Sequence, residues 1–150
     1  MNNNNLKKNL VGYVSNSEFN EKIIPIPFQN ILLRNYCKEN NFNYVLPYNE
    51  TVFKNSSSQL ITLINKLDKN TNIIACSIFM LPERENEIKK INKILISKKS
   101  YIFFLYENLY LKNLDDYENI IFEKKIKNLN KSFFNDSDFK TYVRNLIHKS

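Results

Sequence analysis

The chain has 150 residues, 43% hydrophobic and 25% charged residues, and a formal net charge of +7. This length fits one domain with a single core, and no apolar run approaches the roughly 20 residues that cross a bilayer. The first residues are polar and lack the apolar segment of a signal peptide, so we expect a cytoplasmic protein without a membrane span. We predict a disordered N-terminus over residues 1–9, a single α/β domain over 10–125 and a basic helical extension over 126–150.

Most of the net charge of +7 lies near the C-terminus, since residues 124–150 contain seven lysines and arginines against two aspartates, a net +5. The bias is almost entirely lysine, and it accompanies abundant asparagine and isoleucine, which is typical of AT-rich coding sequences. Base-specific readout of DNA favours arginine, which is scarce in this chain. The composition therefore favours compositional bias over a nucleic-acid partner.

The first predicted elements are a strand, a helix and a strand. Leu10–Val14 is a short apolar run, and the only glycine, Gly12, indicates close approach of another group. Pro27 can open a helix that reaches about Asn40. Its apolar residues recur at helical spacing and are predicted to be the buried stripe: Phe28, Ile31, Leu32 and Tyr36. Phe42–Leu46 is the second predicted strand.

The middle of the chain repeats this alternation. Ser56–Ser58 offers an N-cap to a second helix, which carries Leu60, Ile61, Leu63, Ile64 and Leu67. Ile73–Phe79 is predicted to be a buried strand that leads into a helix beginning near Pro82. The inner face of that helix has Ile88, Ile91 and Leu95.

The last third is less regular. Tyr101–Tyr106 is the fourth predicted strand, and its aromatic residues are interpreted as core and not as a base-stacking platform. Asp115–Asn119 is predicted to be a helical turn and Asn119–Phe122 a short edge strand. A terminal helix is predicted over Asp138–His148, with Ser137 as its N-cap.

Alternating strands and helices predict an α/β fold, a three-layer sandwich with a mainly parallel sheet of four to five strands and a C-terminal helix. A flavodoxin-like strand order of 2-1-3-4 would put the topological switch between the first and third strands. Ser15 and Met80 would then face one another across a crevice, with Glu107 on its flank.

Several common chemistries are excluded by composition. His148 is the only histidine, so Ser-His-Asp and Cys-His mechanisms have no general base, and histidine-rich metal sites are excluded. One glycine cannot build either standard phosphate-binding loop. Cys37 and Cys76 are predicted to be buried thiols. We expect no metal and no cofactor.

The remaining candidates are polar residues near the ends of predicted strands. Ser15 and Glu107 are the catalytic candidates; a carboxylate at residue 107 is either an acid–base group or a cap for the following turn. The candidates for ligand binding are Tyr13, Ser17, Gln29, Arg34, Ser77, Met80 and Asn108.

Four segments resemble the sporadic carbohydrate cluster proteins, a family of small bacterial proteins: GYVS at 12–15, residues 24–47, SIFMLPE at 77–83 and FFLYENL at 103–109. The likeness covers roughly residues 10–125. Its most specific pieces are Gln29-Asn30, Arg34, Tyr36-Cys37, Phe79–Pro82 and Glu107-Asn108.

This resemblance implies a role in the biosynthesis of surface carbohydrate, such as lipopolysaccharide O-antigen or capsule. The protein would act on or bind a sugar or sugar-nucleotide intermediate. The alternative is a non-catalytic adaptor for an enzyme of polysaccharide biosynthesis, and a homo-oligomer is compatible with either. The sequence does not decide whether the protein is an enzyme.

A weaker likeness is to the catalytic domain of serine recombinases, which implies a resolvase-like fold. Val14-Ser15 matches the end of that family's Tyr-x-Arg-Val-Ser motif, with Ser15 at the nucleophile. Tyr13 stands where the motif needs arginine, and Phe79-Met80-Leu81 stands where it would have Asp-Arg-Leu. Without those arginines the scissile phosphate is not stabilised. The third alternative is therefore a degenerate recombinase-like DNA-binding protein that uses the lysine-rich tail.

Overall fold

The computed structural model describes residues 8–16, 18–19, 22–50, 57–68 and 71–135. The strands are β1 (Asn9–Ser15), β2 (Glu18–Phe19), β3 (Lys22–Ile23), β4 (Asn43–Glu50), β5 (Thr71–Ala75), β6 (Ile102–Phe104) and β7 (Leu109–Leu111). The helices are α1 (Ile26–Glu39), α2 (Ser58–Lys66), α3 (Glu85–Lys98) and α4 (Leu114–Asn135), and a 3-10 turn covers Ile78–Met80. Of the described helices, none combines the length and the apolar character that crossing a bilayer requires.

The main sheet has five strands in the order β4-β1-β5-β6-β7. The first four are parallel neighbours, and β7 is antiparallel to β6. Strands β2 and β3 form a separate antiparallel hairpin. Without that hairpin, the parallel strands follow the order 2-1-3-4, so the predicted α/β class, strand order and switch point between β1 and β5 are confirmed.

The helices divide between the two faces of the sheet. Right-handed crossovers that run in opposite directions from β1 place α1 on one face, and α2 and α3 on the other. We call these the α1 face and the α3 face. Helix α3 packs against both α2 and α4, so α4 belongs to the α3 face. Between the layers, β5 and β6 are buried on both sides, as expected for inner parallel strands.

The junction after β5 differs from the sequence prediction. Strand β5 ends at Ala75, and α3 begins at Glu85, three residues after Pro82. The Ser77 hydroxyl accepts a hydrogen bond from the Phe79 amide at 3.3 Å and starts the 3-10 turn. Leu81 is extended, with φ −73° and ψ 153°, because the following proline disfavours helical geometry at that residue. This restriction delays the helix.

The helical turn predicted at Asp115–Asn119 is the first part of the 22-residue helix α4, whereas the edge strand predicted at Asn119–Phe122 is wrong, because those residues lie inside the same helix. Asn113 caps this helix, since its Oδ1 accepts a hydrogen bond from the Asp116 amide at 2.8 Å. The fifth strand is β7, which the tight turn after β6 makes possible.

Helix α4 continues through residue 125 without interruption, and the domain boundary predicted there stays a prediction. Residues 1–7 and the terminal helix predicted at Asp138–His148 lie outside the described residues.

The buried face of α1 is also not the predicted one. Gln29, Leu33 and Cys37 are buried, whereas Phe28 and Ile31 are exposed over more than half of their surface. The spacing of apolar residues gave the wrong face because one buried position is occupied by glutamine, a polar residue that is normally expected on the solvent side.

Gly12 lies against the ring of Tyr44 and against Pro47, and a Cβ there would contact the Tyr44 hydroxyl and come within 3.0 Å of Pro47 Cβ. The Tyr44 hydroxyl also donates to Asn30 Oδ1 at 2.9 Å, so it cannot move without losing that bond. We expect Gly12→Ala to lower the free energy of unfolding by about 1–3 kcal/mol in urea titration. Combining it with Tyr44→Phe should recover part of the loss. Additive effects of the two substitutions would contradict this explanation.

Candidate functional site

The candidate site lies at the carboxyl edge of the sheet, beside the switch point. Strand β1 pairs with β5 as far as Tyr13 and Ala75, and with β4 as far as Ser15 and Glu50. The segment that follows β1, Glu18–Phe19, contacts the Ile78–Met80 turn. The two predicted walls of the site therefore lie at one edge, while the crevice between them stays a prediction.

Ser15 is only 1% exposed, and the side chain of Gln29 binds its backbone. Gln29 Nε2 donates to the Ser15 carbonyl at 2.6 Å and to the Ile24 carbonyl at 2.7 Å. In return, the Ser15 amide donates to Gln29 Oε1 at 3.2 Å. Gln29, a predicted ligand-binding residue, therefore joins the end of β1 to the beginning of α1.

Tyr13 points to the α3 face, where its hydroxyl donates to Glu50 Oε2 at 3.3 Å. Burial raises the pKa of the Tyr13 hydroxyl well above its ordinary value, and the neighbouring Glu50 carboxylate raises it further. The hydroxyl is therefore protonated at neutral pH and acts as a donor. At this position the recombinase motif has an arginine; here the buried contact is between a phenol and a carboxylate.

Glu50 lies at the carboxyl edge of the sheet and was not among the site residues predicted from the sequence. Its carboxylate is buried and caps α2, because it accepts hydrogen bonds from the amides of Gln59 at 2.8 Å and Leu60 at 3.2 Å. Ser58 Oγ donates to it as well, at 3.2 Å. Ser57, which the sequence suggested as part of the N-cap, makes no side-chain cap bond. The available signal was an acidic residue at the end of a strand that precedes a helix.

Glu107 lies in the turn between β6 and β7, and both of its carboxylate oxygens are engaged. Oε1 accepts from Ser77 Oγ at 2.7 Å and from Lys127 Nζ at 3.3 Å, and Oε2 accepts from the Ile78 amide at 3.1 Å. These bonds join the 3-10 turn, the β6–β7 turn and α4. Glu107 thus caps the 3-10 turn at Ile78–Met80 and not the turn that follows it, and its role as an acid–base group stays a prediction. Asn108 follows with φ 53° and is exposed, as a tight turn requires.

Lys124 is a second residue that the sequence did not single out. Its side chain is buried, and Nζ donates to the carbonyls of Leu81 at 3.2 Å and Pro82 at 3.1 Å. Burial lowers the pKa of this ammonium group to about 8, although Glu83 and Glu107 act in the opposite direction. The missed signal was its helical spacing from Ile120 and Ile121, which puts residue 124 on the inner face of α4.

The other predicted residues lie apart or within the core. Met80 is buried in the 3-10 turn. Arg34 is on α1, with its guanidinium carbon 5.7 Å from the centre of the Tyr44 ring, and is exposed. Ser17 lies outside the described residues. The prediction of buried thiols is confirmed, since Cys37 and Cys76 are buried and burial raises their pKa to about 11 and about 12.

The charges at this edge are arranged to hold secondary structure together. Glu50 is the register partner of Ser15, so the nearest charged side chain across the strand pair is an anion. Phosphoryl transfer needs cations around the reacting phosphate. Within the described ranges, no cluster of histidine, cysteine or acidic residues could hold a metal ion.

Comparison with known proteins identifies the fold but not a family. No family model matches the chain, and no curated protein matches its sequence. The structure resembles a resolvase family site-specific recombinase from Streptococcus pneumoniae, with a TM-score of 0.62, 9% identity and coverage of 95% of this chain and 98% of the recombinase. It also resembles the N-terminal catalytic domain of TP901-1 integrase, with a TM-score of 0.55, 13% identity and coverage of 83% and 98%.

These likenesses establish a recombinase-like α/β fold, in agreement with the weaker of the two resemblances drawn from sequence. The resemblance to the carbohydrate cluster family finds no counterpart among the proteins compared.

Replacing Glu50 by glutamine tests its role as a cap. The amide keeps the shape but loses the charge and one acceptor oxygen, so donors from Tyr13 and α2 lose a partner. We expect Glu50→Gln to lower the free energy of unfolding by about 1–3 kcal/mol in urea titration. The matched variant Glu118→Gln, on the exposed side of α4, should change it by less than about 0.5 kcal/mol. Equal effects of the two variants would contradict the cap.

The lowered pKa of Lys124 predicts that stability rises with pH above neutrality. Its pKa is about 8 in the folded chain and near 10.5 when unperturbed, so between these values the unfolded chain binds more protons. The contribution of Lys124 to stability therefore rises with pH over this window. In urea titrations from pH 7 to 10, wild type should gain stability relative to Lys124→Met. The comparison with Lys125→Met should show no such gain, and a difference that is flat or falls with pH would refute this assignment.

Proposed function

We propose that the protein is a DNA-binding protein of the recombinase fold that does not cut DNA, and that the C-terminal half of α4 makes the principal contact. The observation that carries this proposal is the course of α4, which passes the carboxyl edge of the sheet at Lys124 and Lys127 and leads into the most basic part of the sequence. The fold, shared with an integrase catalytic domain and a site-specific recombinase, supports the class of partner.

Contacts along α4 establish its direction. Near its start, the Asn113 carbonyl accepts a hydrogen bond from Asn92 Nδ2 in the middle of α3. Further along, Lys125 Nζ lies 2.8 Å from Glu85 Oε1, at the beginning of α3. The two helices are therefore antiparallel, and α4 rises toward the carboxyl edge. Its eight residues after Lys127 extend about 12 Å further.

The lysines of α4 divide into structural and exposed ones. Lys124 and Lys127 bind carbonyls and Glu107 within the domain. Lys125 is exposed, and its ion pair with the equally exposed Glu85 is of the weak surface kind, so a phosphate can replace the partner. The sequence continues with Lys131, Lys140, Arg144 and Lys149. A basic stretch with several lysines and a single arginine favours binding to the DNA backbone, with little sequence preference.

The arrangement around Ser15 supports binding without cleavage. A phosphodiester placed against Ser15 would approach the Glu50 carboxylate, and Tyr13 supplies no positive charge in its place. The backbone of Ser15 is held by Gln29 and its side chain is buried. A buried serine beside a buried anion is thus unsuited to attack the phosphate in strand exchange.

A role in surface-carbohydrate biosynthesis, through a sugar or sugar-nucleotide ligand or as an adaptor for an enzyme, stays a prediction from the sequence motifs. Several residues that carry that resemblance, among them Gln29, Cys37 and Glu107, build the fold. Deleting the gene and analysing the O-antigen or capsule tests this second role, and an unchanged glycan would refute it.

DNA binding is tested by fluorescence anisotropy with a short labelled duplex over a range of salt concentrations. We expect affinity to fall steeply with salt, and the triple variant Lys125→Gln, Lys131→Gln, Lys140→Gln to bind at least about tenfold more weakly. Its salt slope should be smaller by about two to three, as expected when that many phosphate contacts are lost.

The matched control removes three lysines from surfaces remote from the carboxyl edge: Lys8→Gln, Lys38→Gln and Lys66→Gln. This variant should bind within about twofold of wild type, because only long-range attraction is reduced. Equal weakening by the two triple variants, or no binding by wild type at low salt, would refute the proposal. Ser15→Ala should bind like wild type, and a covalent DNA adduct of the wild-type protein would refute the absence of cleavage.

A further inference from the structure

Among the described helices, only α1 lies on the α1 face of the sheet. Helix α1 packs on β1 and β4, whereas the other three helices belong to the α3 face. Parallel sheets are normally covered on both faces. Over β6 and β7 this face carries a row of aromatic rings, which runs from Tyr36 of α1 through the buried Phe103 to Tyr110 and Tyr101.

These rings form one continuous surface. The Tyr36 and Phe103 ring centres are 5.0 Å apart, those of Phe103 and Tyr110 are 4.8 Å apart, and those of Tyr110 and Tyr101 are 5.4 Å apart. Phe103 is buried beneath its neighbours, but Tyr110, on the edge strand, is 39% exposed. The row thus begins under α1 and ends at the open side of the sheet.

The exposed side chains of α1 extend this surface. Phe28, Leu32 and Tyr36 are four residues apart, so they lie in one stripe along the flank of the helix that faces β6. Phe28 is 61% exposed, and Ile31 lies beside the stripe with 54% exposed. Contiguous apolar surface of this kind, rich in aromatic residues, is typical of protein interfaces. We call the surface formed by Phe28, Ile31, Leu32, Tyr36 and Tyr110 the aromatic face.

We propose that the aromatic face binds the same face of a second copy of this chain, in a two-fold dimer whose axis runs parallel to the strands. Such an axis lays α1 of one protomer over β6 and β7 of its partner, so each helix covers the exposed Tyr110 of the other chain. The contact is isologous, as in most protein dimers.

The charges at the border of the aromatic face suit this arrangement. Glu39 is the last residue of α1, and Lys112 follows β7, whose Leu111 pairs with the first residue of β6. Both side chains are exposed and both lie at the amino edge of the sheet, on opposite sides of the aromatic face. A two-fold axis parallel to the strands brings Glu39 of each protomer to Lys112 of the other. Opposite charges would meet at two symmetric positions.

The size of the surface predicts a reversible dimer. The aromatic face is formed by five side chains, whereas each partner contributes about 20–30 residues to a standard interface. Sedimentation velocity of the full chain without DNA should therefore show a monomer–dimer equilibrium that shifts with concentration in the micromolar range. This proposal is independent of DNA binding, so either can fail while the other holds.

Substitutions of two equally exposed phenylalanines test the location of the dimer interface. Phe28→Ser should weaken dimerisation at least about tenfold. Phe122→Ser, on α4, replaces an equally exposed phenylalanine, 62% against 61%, and should leave the dimer unchanged. Circular dichroism melting curves verify that both variants are folded. A monomer at all concentrations, or a dimer that is lost with Phe122→Ser and kept with Phe28→Ser, would overturn the proposal.

A charge exchange tests the geometry and does not depend on apolar residues. Glu39→Lys and Lys112→Glu should each weaken the dimer, because each places like charges together at both positions. The double variant restores opposite charges and should recover most of the affinity. If the double variant is as weak as the worse single variant, Glu39 and Lys112 do not meet and the proposed dimer is wrong.

Discussion

The buried carboxylate of Glu50 is the interaction on which the arrangement of the carboxyl edge depends. It accepts hydrogen bonds from Tyr13 on β1 and from the first amides of α2, and it is itself the last residue of β4. Three elements therefore meet at one anion, which the positive end of the helix stabilises. A charge placed there for structural reasons also bears on chemistry, because it puts an anion beside Ser15, where a reacting phosphate needs cations.

Glu107 has the same role on the other side of the switch point. It joins the 3-10 turn to the β6–β7 turn and to Lys127 of α4, while Lys124 fixes α4 to the loop before α3. The fold is that of recombinase catalytic domains, but its carboxyl edge is occupied by bonds within the chain. A shared fold therefore does not imply shared chemistry, which depends on the residues at the site. The exposed part of α4 is not engaged by these bonds, and we propose it as the binding surface.

The sequence was sufficient for the order of the parallel strands and for the inner face of α3, because continuous apolar runs and helical spacing carry those features directly. It was insufficient wherever a polar side chain is buried with a local partner. Because Gln29 is polar, the buried face of α1 was predicted wrongly. Lys124 was assigned to a basic tail, although its side chain is buried. Glu50 had no visible role until β1, β4 and α2 were assembled, because its partners are separated from it by up to 37 residues.

The same reasoning explains why resemblance by motif and resemblance by fold give different functional hypotheses. Gln29, Cys37 and Phe79–Pro82 are constrained by packing and backbone hydrogen bonds. Sequence similarity at these positions therefore indicates a similar fold and not a shared substrate. The exposed residues, which have most to do with partners, are the ones that short motifs describe least.

The most direct measurement of the central claim is hydrogen–deuterium exchange of the full chain with and without duplex DNA at low salt. We expect DNA to slow exchange in peptides covering the C-terminal half of α4 and to leave exchange at the end of β1, around Ser15, unchanged. Protection that centres on Ser15 and the Ile78–Met80 turn, with α4 unaffected, would contradict this expectation, because DNA would then occupy the edge that Glu50 and Glu107 are taken to close.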